Sequence, residues 1–149
     1  MDGAERRMKI YVAGKVRNEV ERDFLEEIDS LCKSEGFDTF LPHRDVGLAE
    51  GNKDVPKIFE GDIKEGFSDV KLVVAALDGL HVGAGTAWEL GYAYAKEIPA
   101  IGIKTDEPVS EALEYLSAIL VGSMDIVSSK DELRAKLREF AKHFSQEAS

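Results

Sequence analysis

Glu89 is the side chain whose position in the sequence most suggests chemistry. An apolar run over residues 72–77 is followed by a glycine-rich segment, and the helical segment with Glu89 comes next. A carboxylate just beyond the carboxyl end of a strand can serve as a nucleophile or as an acid–base catalyst. The alternative is a surface acid favoured by the helix dipole. Gly85 and Trp88 favour the catalytic interpretation, because they would form a tight and partly apolar wall around the carboxylate.

Three residues elsewhere in the chain could act together with Glu89. Asp62 lies in the helical segment before the apolar run, and Asp78 follows that run directly. Tyr11 lies in the first apolar segment, where its hydroxyl could orient a carboxylate. Each of the three also has an ordinary role open to it, as a helix cap, a surface acid or a core side chain.

A second group of residues is typical of an anion site. Gly14 ends the first apolar segment and is followed by Lys15, Val16 and Arg17. The glycine allows a sharp turn or the close approach of a ligand, and the two cations lie beside the start of a helix. The spacing matches neither a dinucleotide-binding nor a Walker phosphate loop. An ordinary solvated loop therefore remains the alternative to a site for a single phosphate.

Metal chemistry has little support in the sequence. The chain has three histidines, at positions 43, 81 and 143, and they form no helical pair. A single cysteine, Cys32, excludes an intrachain disulfide and a cysteine-rich metal site. His43 is predicted in a loop, where it could face either solvent or a ligand. We expect no metal and no organic cofactor, because carboxylates can supply both the nucleophile and the proton transfer.

The elements that must position these residues alternate along the chain. Apolar runs and turn residues predict strands over 9–13, 37–41, 70–77, 98–103 and 124–127. Helical periods predict helices over 19–35, 55–67, 86–96, 109–120 and 129–144, and residues 43–54 are predicted as a loop. The alternation predicts a single-domain α/β fold. Its doubly wound, Rossmann- or flavodoxin-like sheet would have about five parallel strands, helices on both faces and right-handed crossovers.

Composition narrows the class of protein further. The 149 residues suit one domain, predicted over 9–149, with a flexible tail over residues 1–8. A net charge of −10 argues against binding a nucleic-acid polymer. No apolar run approaches the length of a membrane span, and the single cysteine fits a reducing compartment. We therefore expect a cytoplasmic globular protein that acts on a small molecule.

Several of these segments together resemble the nucleoside 2-deoxyribosyltransferase family. The opening Ile-Tyr-Val-Ala-Gly at 10–14 matches, as do Asp62 and Leu-Asp-Gly at 77–79. The most specific match is Gly-Thr-Ala-Trp-Glu-Leu-Gly-Tyr-Ala at 85–93, and Ile-Pro at 98–99 follows it. The resemblance covers roughly residues 9–128.

The resemblance implies a mechanism and a role for each catalytic residue. The glutamate matching Glu89 attacks the sugar C1′ and displaces the base, giving a covalent glycosyl-enzyme that water or a second base resolves. The acid matching Asp62 would protonate or hydrogen-bond the leaving base. Tyr11 would hold Glu89 in its attacking position.

The resemblance also favours one branch of the family, the 2′-deoxynucleoside 5′-phosphate N-hydrolases. Transferases that act on free nucleosides carry an aspartate six residues before the nucleophile, where this chain has Gly83. The loop 14–17 resembles the phosphate loop of the hydrolases, and His43 matches a histidine of that branch. Leu-Ser-Ala at 116–118 matches a segment whose serine reaches the phosphate in a neighbouring subunit. The resemblance therefore implies a homodimer in which Ser117 completes the partner's site.

Three positions depart from that branch. Lys15 replaces a loop serine, Gly83 replaces a second serine that contacts phosphate, and Asn18 replaces a glycine. The charge of Lys15 could compensate for the lost hydroxyl contacts. The resemblance thus predicts release of free base and deoxyribose 5-phosphate from 2′-deoxynucleoside 5′-monophosphates.

Two other functions remain open from the sequence alone. One is base exchange on free deoxynucleosides, as in the transferase branch. The other is a nucleotide-binding module that binds without turnover. A purely structural or response-regulator-like domain does not explain Trp88 and Glu89 beside three glycines, and the end of the first strand lacks a paired-aspartate pocket.

Overall fold

Five parallel strands form the sheet that the alternating sequence pattern predicts. The computed structural model describes residues 7–51 and 54–148. The strands are β1 Lys9–Ala13, β2 Asp38–Phe40, β3 Val70–Ala76, β4 Ala100–Ile103 and β5 Asp125–Val127. They are ordered β2-β1-β3-β4-β5, and every neighbouring pair is parallel. The doubly wound α/β fold is therefore confirmed, with a switch point between β1 and β3, where such sheets bind ligands.

Helices connect the strands and cover both faces of the sheet. They are α1 Glu19–Ser34, α2 Pro42–Asp45, α3 Val55–Phe59, α4 Ala84–Ala95, α5 Val109–Leu116, α6 Ala118–Ser123 and α7 Lys130–Ala148. A π-helical turn, Glu60–Glu65, continues α3 without a break. The α1 helix is capped by the Asn18 side chain, which accepts from the backbone N–H of Glu21 at 2.9 Å. Ser129 caps the start of α7, since its Oγ accepts from the Glu132 backbone N–H.

The two faces of β1 belong to different halves of the core. Ile10 and Val12 pack in a buried cluster with residues of α1 and α7. Tyr11 and Ala13 lie in a second cluster that includes residues of α4, α5 and the π-helical turn. All four β1 side chains are fully buried, as the continuous apolar run predicts for a central parallel strand. The alternation directs Tyr11 to the same face of the sheet as α4.

Three predicted elements differ in the structure. The predicted loop over 43–54 begins inside a short helix, because Pro42 starts α2 at a first-turn position that suits proline. The predicted helix over 109–120 is two helices, since Ser117 takes a φ of 75° and ends α5. Its Oγ accepts from the Ile119 backbone N–H and begins α6. The predicted helix over 55–67 becomes π-helical after Phe59.

The chain packs against the core before β1 begins. Residues 1–6 of the predicted tail lie outside the described residues, whereas Met8 packs against the core and accepts from the Asp38 backbone N–H. Among the helices of residues 7–51 and 54–148, none combines the length and apolar character needed to cross a bilayer.

Candidate active site

The centre of the site is a hydrogen bond between β1 and α4. The Tyr11 hydroxyl donates to Oε2 of Glu89 at 2.5 Å. Tyr11 is fully buried, and its ring stacks on Phe40 at 5.3 Å and on Phe67 at 4.1 Å between ring centroids. The tyrosine is therefore held by packing on both sides, and its hydroxyl fixes the position of the Glu89 carboxylate.

The environment of Glu89 makes its carboxylate more basic than an exposed one. Burial raises the pKa of Glu89 to about 7, and the charge of Asp62 adds to the effect. The Tyr11 hydrogen bond acts in the opposite direction because it stabilises the ionised form. Burial and the Glu89 carboxylate raise the pKa of Tyr11 far above its usual range, so the phenol stays protonated as a donor. Glu89 thus has a pKa near neutral pH while Tyr11 holds its carboxylate in one position.

Asp62 provides a second carboxyl group with an altered pKa. It lies on the π-helical turn, and π-helical turns are frequent at functional sites. Its Oδ1 is buried and accepts no hydrogen bond from any residue that the structure describes. Burial raises the pKa of Asp62 to about 6. A carboxyl group in this state is suited to hold a proton and to transfer it.

Glu89 and Asp62 lie on a wall shared by two cavities of opposite character. The apolar cavity has a volume of about 440 Å³, and its lining is mostly aliphatic and aromatic: Ala49, Val55, Ile58, Phe59, Asp62, Ile63, Ala84, Gly85, Trp88 and Glu89. The polar cavity has a volume of about 700 Å³ and includes the loop after β1: Gly14, Lys15, Val16, Arg17, Pro42, Asp62, Leu80, His81, Val82, Gly83, Ala84, Gly85, Thr86 and Glu89.

Aromatic side chains shape the apolar cavity. Trp88 stacks on Tyr92 with an interplanar angle of 10°, and Phe59 meets the Trp88 ring edge-on at 5.9 Å. Trp88 and Phe59 are nevertheless 51% and 45% exposed, which is unusual for large apolar side chains. An aromatic wall of this kind suits a flat, partly apolar group such as a nucleobase.

Lys15 and Gly83 form one structural unit in the polar cavity. The Lys15 ammonium donates to the carbonyl oxygen of His81 at 2.8 Å. A Cβ atom at position 83 would lie 2.9 Å from Cγ of Lys15, and one at position 79 would lie 2.5 Å from its Nζ. The stem of Lys15 thus takes the space that a side chain at position 83 would need. Lys15 and Gly83 both depart from the pattern of the hydrolase branch, and the space that one leaves is filled by the other.

The rest of the loop after β1 is held by α1. A Cβ at Gly14 would lie 2.5 Å from a methyl group of Leu25, so this close approach requires glycine. The carbonyl oxygen of Val16 accepts from Arg22 at 2.8 Å. Arg17 is exposed and pairs with Glu21 at 2.9 Å. Gly14, Val16 and Arg17 all line the polar cavity.

Three predicted substrate-binding residues lie outside both cavities. Asp78 accepts from the backbone N–H and the hydroxyl of Thr105 at 2.6 and 2.5 Å, so it joins the loops after β3 and β4. His43 on α2 faces Glu26 on α1 at 3.4 Å, with Nδ1 buried. Ser117 is exposed at the junction of α5 and α6.

Sequence reasoning missed residues that shape the site. Phe59 precedes Asp62 by three positions, and that helical spacing was a signal that both could face one cavity. Lys104 is 2% exposed and donates to the carbonyl oxygens of Leu77 and Gly79, while it pairs with Asp106 at 2.8 Å. It thereby holds the loop that follows β3. An isolated lysine after an apolar strand gives no sequence signal for this role.

Metal ligands are not gathered in the described part of the chain. Residues 7–51 and 54–148 contain no group of three or more His, Cys, Asp or Glu side chains placed to hold an ion. The arrangement supports the chemistry of two carboxyl groups, one of which is held by a tyrosine. Both groups lie between the apolar cavity and the polar cavity.

Comparison with known proteins gives a family and a set of similar structures. The family model described as nucleoside 2-deoxyribosyltransferase matches residues 10–117. A conserved protein from Enterococcus faecalis V583 is 28% identical with a TM-score of 0.71; the match covers 90% of this chain and 99% of that one. No curated protein matches the chain.

Two further structures share the fold at lower identity. A 2-deoxyribosyltransferase from Bacillus psychrosaccharolyticus is 19% identical with a TM-score of 0.68; 87% of this chain and 95% of that one are covered. A CMP N-glycosidase from Clostridium botulinum is 18% identical with a TM-score of 0.50; 87% of this chain and 97% of that one are covered.

Proposed function

Because the chain belongs to the nucleoside 2-deoxyribosyltransferase family and is an enzyme of that kind, we propose that it hydrolyses 2′-deoxynucleoside 5′-monophosphates. The products are the free base and deoxyribose 5-phosphate. One observation carries this proposal: Glu89 and Asp62 lie on the wall between an apolar cavity and a cavity with two cations. A nucleoside monophosphate has the same division, with the N-glycosidic bond between its base and its sugar phosphate.

The two cavities assign the parts of the substrate. The base lies in the apolar cavity against Phe59 and Trp88, where a planar ring can replace water on the aromatic surface. The 5′-phosphate lies in the polar cavity near Lys15 and Arg17, whose charges suit an anion. The C1′ atom then comes to the shared wall beside Glu89.

The reaction proceeds in two displacements at C1′. The ionised Glu89 carboxylate forms a bond to C1′ while the C1′–N bond breaks and its electron pair goes to the base. Asp62 gives its proton to the departing base nitrogen. Water then attacks C1′ of the glycosyl ester, Asp62 takes a proton from that water, and the Glu89 carboxylate leaves. Atoms and charge balance without a cofactor.

The two carboxyl groups share the one proton that this sequence needs. The pKa of Glu89 is about 7 and that of Asp62 is about 6. Near these pH values the interacting pair holds about one proton, and the apparent pKa values belong to the pair. Even with the Tyr11 hydrogen bond, the pKa of Glu89 stays above that of Asp62, so the reactive form, with Glu89 ionised and Asp62 protonated, is the minor one of the two one-proton forms. A bell-shaped pH dependence follows from this arrangement.

The active form proposed here is a homodimer in which Ser117 reaches the phosphate in the partner's site. Ser117 is exposed in the single chain and lies beside Ile119, which is 82% exposed. An exposed apolar side chain next to a strained serine, with a φ of 75°, supports an interface at this position.

Release of free base tests the proposal. The protein is incubated with the four deoxynucleoside monophosphates, and separately with free deoxynucleosides plus an acceptor base. We expect base release from monophosphates, a covalent deoxyribose phosphate adduct on Glu89 by mass spectrometry, and loss of both in Glu89→Gln. Base exchange on nucleosides alone would select transfer instead of hydrolysis. Tight binding of monophosphates with no base release would show a binding module.

A further inference from the structure

Glu21 pairs with both cations of the polar cavity from a neighbouring cavity, which it lines together with Lys15 and Arg17. Its carboxylate accepts from the Arg17 backbone N–H at 2.9 Å, and from Nη2 and Nε of the same residue at 2.9 and 3.4 Å. The Lys15 ammonium lies 3.8 Å from the same carboxylate. Only 17% of the Glu21 side chain is exposed. One carboxylate therefore occupies the charges that the proposed function gives to a phosphate.

We propose that Glu21 is a specificity-determining residue, a built-in carboxylate that competes with the 5′-phosphate for Arg17 and Lys15. The inference rests on the proposed function, since it assumes that this cavity receives a phosphate. In the unliganded protein the Glu21 carboxylate holds the Arg17 guanidinium. In the complex the phosphate takes the guanidinium of Arg17, and Glu21 loses its side-chain hydrogen bonds to it.

The two cations are held differently, and this decides which of them moves. The side chain of Lys15 is 13% exposed, donates to the His81 carbonyl oxygen and packs over Gly83. The side chain of Arg17 is 71% exposed, and its guanidinium is bound by Glu21. The Arg17 guanidinium can turn through solvent when it leaves Glu21, whereas Lys15 would have to break its hydrogen bond to the His81 carbonyl oxygen. Lys15 stays in place while Arg17 turns from the carboxylate to the phosphate.

The charge balance explains why this arrangement selects for a phosphate. Lys15 and Arg17 give two positive charges, and Glu21 removes one of them. A phosphate with two negative charges binds the Arg17 guanidinium more strongly than a single carboxylate does. A neutral 5′-hydroxyl binds it more weakly and does not displace Glu21. The Arg17 hydrogen bond lowers the pKa of Glu21, so the carboxylate remains ionised through the working pH range. The competition also weakens the hold on the phosphate-bearing product, which favours its release.

Glu21→Gln tests the inference, with Glu19→Gln as the matched control. Both residues lie in the first turn of α1, both changes remove one negative charge, and Glu19 is exposed. The amide oxygen introduced by Glu21→Gln can still accept from the Arg17 backbone N–H. We expect Glu21→Gln to bind inorganic phosphate roughly three- to tenfold more tightly by calorimetry, since one nearby charge is removed. The KM for a deoxynucleoside monophosphate should fall by a similar factor with kcat little changed, and Glu19→Gln should resemble the wild type.

The possible outcomes separate this inference from the proposed function. Weaker or unchanged phosphate binding in Glu21→Gln, with monophosphates still hydrolysed, would show that Glu21 only positions Arg17, and would overturn the inference alone. Equal tightening in Glu19→Gln would reduce the effect to net charge and would also overturn it. Failure of the wild type both to bind phosphate and to cleave monophosphates would overturn the proposed function together with the inference.

Discussion

At the scale of single residues, the hydrogen bond between Tyr11 and Glu89 influences the pH at which Glu89 is ionised. Removing the hydroxyl in Tyr11→Phe removes a contact that lowers the pKa of Glu89, so that pKa rises above about 7. We expect the maximum of the kcat/KM profile to fall several-fold and its basic limb to move up by about one pH unit, because Glu89 then holds more tightly the proton that the mechanism assigns to Asp62.

The control for this change is Tyr94→Phe. Tyr94 lies on the same helix, α4, and is 68% exposed. Its profile should coincide with that of the wild type. A Tyr11→Phe profile that falls without any move of its basic limb would assign Tyr11 to packing instead of to the ionisation of Glu89.

The raised pKa of Glu89 also has a consequence for stability. Its value of about 7 in the folded protein exceeds the ordinary 4.5, so the fold favours the protonated form. The free energy of unfolding therefore falls as pH rises from about 4.5 to 7, and the loss persists above that range. Glu89→Gln cannot ionise and should gain roughly 1 to 2 kcal/mol relative to the wild type between pH 4.5 and pH 8.

Denaturant titrations at the two pH values measure this difference. Glu114→Gln on α5 serves as the control, because Glu114 is exposed and the change is the same. A Glu89→Gln variant whose stability follows the wild type at both pH values would mean that burial does not raise the pKa of the Glu89 carboxyl group.

At the scale of elements, apolar periodicity was enough to predict the order of strands and helices but not the exceptions among the helices. The strands follow from local runs such as 9–13, whose side chains are buried on both faces. The break at Ser117 was missed because a positive φ in a non-glycine residue has no local signal. Glu89 and Tyr11 could be paired from the sequence only through the resemblance, since 78 positions separate them.

The π-helical turn was missed because its glycines are required by distant contacts. A Cβ at Gly61 would lie 2.7 Å from the methyl groups of Val46. A Cβ at Gly66 would collide with the carbonyl oxygen of Asp62 and would lie 2.6 Å from the ring of Phe40. The turn that presents Asp62 to the site therefore depends on packing that a one-dimensional pattern does not contain.

Gly66→Ala tests whether the π-helical turn positions Asp62. The added methyl group must displace the backbone of Asp62 or the ring of Phe40, and such overpacking costs roughly 1 to 3 kcal/mol of stability. Base release should fall further than this loss of folded protein explains, because Asp62 moves. Activity measured below the unfolding transition, next to a melting curve, separates the two effects.

Gly91→Ala is the matched control for that substitution. Gly91 lies within α4, and a Cβ there would meet no atom within 4 Å. Alanine in a helix interior is favoured over glycine by about 0.5 to 1 kcal/mol, so this variant should be as stable as the wild type or more stable. Equal loss of activity in both variants would contradict a special role for the π-helical turn.

At the scale of the whole molecule, the sheet order joins parts of the chain that are far apart in sequence. The winding reverses between β1 and β3, so the loop with Lys15 and the helix with Glu89 lie at one edge of the sheet. The molecule has a net charge of −10, yet two cations are placed where this edge opens. Overall charge excluded a polymer of nucleic acid as partner but gave no information on this local site.

The proposed dimer can be tested by combining two inactive variants. Glu89→Ala lacks the nucleophile. Ser117→Asp places a negative charge where the partner's phosphate is proposed to lie, and aspartate tolerates a positive φ better than most residues. Each homodimer should release base at a small fraction of the wild-type rate. In a mixed dimer, one site combines the intact Glu89 of one chain with the intact Ser117 of the other.

Random exchange of chains between the two variants makes half of the dimers mixed. Each mixed dimer has one active site of its two, so the mixture should recover about a quarter of wild-type activity. The readout is base release from a deoxynucleoside monophosphate after co-refolding, compared with the two variants refolded separately and then combined. Recovery would require a site built from two chains. Full activity of Ser117→Asp alone, or of a protein that sediments as a monomer, would instead place the whole site within one chain.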